Sequence, residues 1–107
     1  MIDTKSGAVQ DPEHCQTMAD VRAGVDQLDR ELIALLRRRF AYMDAAARIK
    51  LQRTQVRDEA RKAQVIENAR RAAAAAGMPA QPIAELWDRL VEASIAYEFN
   101  AFDRLRG

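Results

Sequence analysis

A chain of 107 residues, 49% hydrophobic and 31% charged, has the make-up of one soluble globular domain and not of a disordered or membrane-spanning one. Seventeen Lys and Arg against sixteen Asp and Glu leave a net charge of +1, which supplies no global field for holding nucleic acid or a membrane surface, so any basic site must be local. Cys15 is the single cysteine, which excludes an internal disulfide and a cysteine-rich zinc site, and the lone His14 has no neighbour in sequence from which to build a metal site or a catalytic triad.

In chain order, MIDTKSGAVQDPEHC opens a polar extension over residues 1–16, without the apolar run of a secretory signal, and the folded domain is expected over 17–107. No segment approaches the ~20 apolar residues of a membrane span, and the cytoplasm is the expected address. From Met18 to Gln52 the apolar positions Val21, Val25, Leu28, Leu32, Leu36, Phe40 and Met43 keep a helical period, with no proline and only Gly24 inside. One long helix is predicted. At about 1.5 Å per residue it is roughly 50 Å long, against a radius of gyration of about 13 Å for a compact monomer of this size. A second copy packed along the stripe is therefore expected.

A break is expected at RTQV, with Asp58 as N-cap of a second helix that runs from DEARKAQVIENARR into the alanine run. Gly77 and Pro79 follow in the order expected beyond a helix C-terminus. Pro82 suits the first turn of a third helix, whose apolar positions Ile83, Leu86, Leu90, Val91, Ile95, Phe99 and Phe102 continue nearly to Gly107. No alternating strand pattern and no repeat is present. The fold class is all-α, with three helices, one of them very long.

Polar groups interrupt these stripes. Arg39 lies three residues beyond Leu36 and four before Met43, and Lys50 follows eleven residues later, about three turns plus 20° on a regular helix. A single such cation is ordinarily a snorkelling or paired interface residue; two on one line favour an anion site. In the third helix Ser94 and Glu98 are spaced i,i+4 within the arc of Leu90, Val91 and Phe102. Desolvation there disfavours a charged carboxylate, whereas nearby cations favour it, and a structural ion pair with the long helix is an equal reading of Glu98.

Arg22 precedes Arg39 by seventeen residues, roughly 25 Å along one axis, so a small ligand reaches both only if an antiparallel partner brings its own Arg22 alongside. Such a site holds three fixed cations, with no metal ligands, activated nucleophile or glycine-rich phosphate loop. It suits a small polyanion, carboxylates above all, and its chemistry is electrostatic and conformational. Arg37, Arg38, Arg70, Arg71, Arg104 and Arg106 are expected on solvated helix faces, and without interleaved aromatics they make a poor nucleic-acid surface.

Four stretches, ADVRAGVDQLDRELIALLRRRF, AARIK, VRDEAR and EASIAYEF, in this order and spacing, resemble the small intertwined all-α chorismate mutases and their relatives, the isochorismate-pyruvate lyases. The resemblance covers roughly residues 12–104. DPEHCQTMADVR is more similar to the lyase branch and VRDEAR to the mutases. The resemblance implies a homodimer with two shared active sites, a small dicarboxylate substrate (chorismate or isochorismate), and neither cofactor nor metal. It also implies that Arg22 reaches in from the neighbouring subunit, that Arg39 binds substrate carboxylate, and that Lys50 contacts a carboxylate and the ether oxygen of the breaking bond. Asp58 and Arg61 are then pocket-lining residues of the second helix, Ser94 a pocket hydroxyl, and Glu98 the group opposite Lys50.

Two departures stand out. Lys62 occupies a substrate-binding position at which mutases carry a glutamate that accepts from the ring hydroxyl, and Glu98 stands where glutamine is common and must be protonated to donate to the ether oxygen. Chorismate mutase activity is the leading expectation. Isochorismate-pyruvate lyase activity, alone or in addition, is the alternative, and a non-catalytic helical dimer acting as a binding or regulatory module is the third.

Overall fold

The computed structural model describes residues 9–107, and among them the fold is all-α: α1 (Met18–Ile49), α2 (Glu59–Ala75) and α3 (Ala80–Arg106), with 3-10 turns at Pro12–His14 and Arg53–Gln55. The chain divides into two compact units, one ending at Arg39 and the other beginning at Phe40, so that α1 contributes to both.

In the first unit α1 starts from its own side chains. Thr17 Oγ1 accepts from Asp20 N at 3.1 Å, which satisfies a donor otherwise orphaned at a helix N-terminus, and Asp20 Oδ2 accepts from Gln16 N at 3.0 Å, which ties the preceding segment to the first turn. The segment from Val9 lies against the helix at Gly24, where a Cβ would stand 3.5 Å from Val9 Cγ1. Val21, Val25, Leu28 and Leu32, the first half of the predicted stripe, remain between 38% and 56% exposed.

The second unit holds the core. Ala47, Val56, Val91, Ile95, Ala101 and Phe102 form one buried cluster, with Val65 and Phe99 packed against it. α2 packs on α3, and of the alanine run only Ala73 is buried, as a thin apolar face requires. Asp58 caps α2 by accepting from Arg61 N at 3.0 Å. At the other end Gly77 adopts φ 75°, and Gly77 N and Met78 N donate to Ala74 O (3.0 Å) and Ala73 O (2.8 Å). This pair of bonds closes the helix through a left-handed residue, which glycine adopts without steric penalty.

The long helix stops at Ile49 and not at Gln52. Gln55 Oε1 accepts from both Leu51 N and Gln52 N at 2.9 Å, and these local side-chain bonds turn the backbone into the Arg53–Gln55 turn instead of a further helical turn. Lys50 therefore sits just past the helix, its N–H still donating to Ala46 O at 2.9 Å.

Candidate active site

The second unit brings together Lys50, from the end of α1, with Glu98 on α3. Lys50 Nζ lies 2.7 Å from Glu98 Oε2 and 3.5 Å from Val56 O. Glu98 is buried, its side chain only 5% exposed. The ammonium is close but not aligned for hydrogen bonding, so among the described residues Glu98 Oε2 has no directed donor. Ser94 is buried on the same face one turn earlier, and its hydroxyl donates to Leu90 O at 2.7 Å. A buried carboxylate, an adjacent ammonium and a hydroxyl thus share one wall. A pair of this kind persists because removing either partner leaves an uncompensated charge, at a cost of about 3–5 kcal/mol in fully buried cases.

The loop that carries Lys50 is clasped from α3. Arg53 donates through Nε and Nη2 to Asp103 at 2.9 and 3.2 Å, and its guanidinium lies 4.5 Å from the Phe99 ring centre. The bond from Arg53 holds the Asp103 carboxyl below the usual carboxylate range. Arg106, expected on a solvated face, is also engaged: Nη1 donates to Ala47 O at 2.9 Å, Nη2 donates to Lys50 O, and the guanidinium stacks 3.7 Å over Phe102. Its face is exposed, as expected, but the carbonyls at the end of α1 lie within its reach. On another face of this unit Tyr97 Oη donates to Asp44 Oδ2 at 2.9 Å, which pushes the phenol up, and its ring meets Phe40 edge-on at 4.9 Å.

The α2 candidates have local engagements. Asp58 is occupied by its cap, and Arg61 Nη1 donates to Gln64 Oε1 at 2.7 Å. Lys62 reaches across to α3, 2.6 Å from Glu92 Oε2 and 3.1 Å from Asp88 Oδ1. Arg57 joins Glu92 through both carboxylate oxygens, at 2.8 and 3.1 Å. The Glu92 carboxyl is consequently held down at about 2, by Arg57 first and Lys62 second, and the same bonds push Lys62 and Arg57 up.

In the first unit Arg22 is exposed and Arg39 half-buried on α1. The groove of about 440 Å³ in this unit, lined by Val9, Pro12, Cys15, Val21 and Leu28, lies between the N-terminal segment and α1 and contains no candidate residue. Among the described residues no group of His, Cys, Asp or Glu has the geometry of a metal site, and no helix is long and apolar enough to cross a membrane.

Arg53, Asp103, Arg57 and Glu92, and the engagement of Arg106, were not expected from the sequence. For Arg106 a signal existed, since it stands i+4 from Phe102, a spacing that puts a guanidinium over a ring. Arg53 and Asp103 are fifty residues apart and carry no local signal.

Sequence comparison gives the family: the chorismate mutase type II sequence model matches residues 21–99, and the chain belongs to that family. It is also similar to the isochorismate pyruvate lyase of Pseudomonas aeruginosa, 28% identical over 96 residues that cover 90% of this chain and 95% of that protein.

Proposed function

We propose that this protein is a chorismate mutase that converts chorismate to prephenate, acting in the cytoplasm as an intertwined homodimer with two active sites, each shared between chains. The observation that carries the reading is the buried Glu98 carboxyl 2.7 Å from the Lys50 ammonium. In this reading the arginines Arg39 and, from the second chain, Arg22 bind the two substrate carboxylates and hold chorismate folded, with its enolpyruvyl group over the ring. That removes much of the conformational cost of the rearrangement. As the C–O bond breaks ahead of C–C bond formation, negative charge gathers on the ether oxygen, where Lys50 donates to it from its place beside Glu98. Nothing covalent passes between enzyme and substrate. The uncovered Val21–Leu32 stripe supports the dimer, because a helix face of this length is stable when a second chain removes it from water.

A second reading, isochorismate-pyruvate lyase activity, is favoured by the 28% identical lyase and by Lys62, whose ammonium is committed to Glu92 and Asp88 where the mutase resemblance calls for a hydroxyl acceptor. The same charge develops at the same oxygen when isochorismate passes a ring hydrogen to the enolpyruvyl group and releases pyruvate and salicylate. Purified protein offered chorismate and isochorismate separately distinguishes the readings: prephenate supports the first, salicylate with pyruvate from isochorismate alone supports the second, and no product from either supports a non-catalytic dimer.

A further inference from the structure

Lys50 lies beyond the last residue of α1, at a point where helix carbonyls have run out of intrahelical donors. Two of these carbonyls, Ala47 O and that of Lys50 itself, accept from the two Nη atoms of Arg106. A guanidinium can do this because its donors are fixed in a planar fork, and its charge is favoured at the negative end of the helix dipole. The fork is itself held in place: it lies 3.7 Å over Phe102, a buried ring one helical turn earlier. Glu98 is one turn earlier again. One line along α3, Glu98, Phe102 and Arg106, therefore carries the acid that meets the Lys50 ammonium, the ring that orients the guanidinium, and the guanidinium that meets the Lys50 carbonyl. Lys50 is gripped at both ends by the same helix face.

We propose that Arg106 is a positioning residue for Lys50. A lysine side chain has four rotatable carbons, and its ammonium is delivered reliably only if its backbone is fixed; Arg106 fixes it against the helix that bears Glu98. The proposal rests on the reading of Lys50 as the group that meets the ether oxygen of the substrate. Arg106 touches no reacting atom in this scheme, and it acts through the Lys50 backbone.

The test compares wild type with Arg106→Ala and Arg106→Lys, using whichever isomer the wild type turns over. Arg106→Ala is expected to lower kcat about tenfold per folded protein, with KM within about twofold, since Arg39 and Arg22 of the partner subunit carry most of the carboxylate binding that Lys50 shares. Arg106→Lys, which keeps the charge but loses the fork, is expected to recover only part of the loss. In a Lys50→Ala background the Arg106→Ala change should cost almost nothing further, because the group it positions is gone. A second readout is independent of turnover: the ¹⁵N NMR resonance of the Lys50 ammonium, assigned by its absence in Lys50→Ala, should shift or broaden in Arg106→Ala. An unchanged kcat with only a lowered Tm, or an ammonium resonance identical in wild type and Arg106→Ala, overturns the proposal. Wild type inactive on both isomers defeats the functional reading, and the resonance then still decides whether Arg106 holds Lys50.

Discussion

The two units treat their share of the apolar pattern in opposite ways. In the first, Val21, Val25, Leu28 and Leu32 follow the helical period faithfully and are left 38% to 56% exposed; in the second, the same kind of period on α3 closes over Val91, Ile95 and Phe102. Charges follow suit. In the second unit Lys50 meets Glu98, Arg53 meets Asp103, and Arg57 and Lys62 share Glu92. Periodicity thus specifies which face of a helix is apolar without specifying which surface covers it. Where the covering element is in the same chain the face is buried, as at Val91, Ile95 and Phe102, and where it is not, as from Val21 to Leu32, the stripe stays exposed.

The sharpest way to break this contrast is at the buried pair. Lys50→Ala is expected to lower kcat about 100- to 1,000-fold, the usual cost of losing one donor to a developing oxyanion, and to leave Glu98 buried without its partner, so that Tm falls as well. Steady-state kinetics with a thermal melt check both effects, and a variant with wild-type turnover would show that the pair is only structural. Next in size is the uncovered stripe: Leu28→Glu should convert the proposed dimer to monomer in sedimentation experiments and abolish activity, while circular dichroism of the whole chain keeps most of its helix signal.

A smaller effect concerns acid stability. The Glu92 carboxyl lies at about 2 when folded, below its ordinary 4.5, because Arg57 and then Lys62 bond its charged form. A depressed folded value means that the stabilisation is complete above the unfolded value and disappears as pH falls through the folded one. Glu92→Gln should therefore flatten the loss of stability between about pH 4.5 and 2, with the contribution kept small by solvent screening at this exposed network. Denaturant midpoints measured across that window read the difference. Smallest of all, Arg71→Ala, which removes an exposed i,i+4 pair with Glu67, should change stability by less than about 0.5 kcal/mol and activity not at all.

Much of this was legible in the chain itself. The three helices, the Asp58 cap, the glycine and proline that end α2, and the presence of Ser94 and Glu98 on a buried face all follow from spacing and local backbone chemistry. The end of α1 did not, because Gln55 competes with the helix through side-chain bonds that no apolar period registers. Nor did the engagement of Lys62: position alone aligned it with a substrate-binding residue, whereas its actual partners, Asp88 and Glu92, lie on another helix. Long-range polar pairing is decided by which helices pack together, and a single sequence shows only that each charge exists.

The central claim is that a working site needs residues from two chains, and it is tested most directly by complementation. Arg22→Ala and Arg39→Ala homodimers should each be nearly inactive. After mixing under conditions of proven subunit exchange, random reassortment makes half of the dimers mixed, each with one intact site of two, so activity should return to about a quarter of wild type. No recovery after demonstrated exchange, or full activity in either single variant, would contradict a site shared between chains.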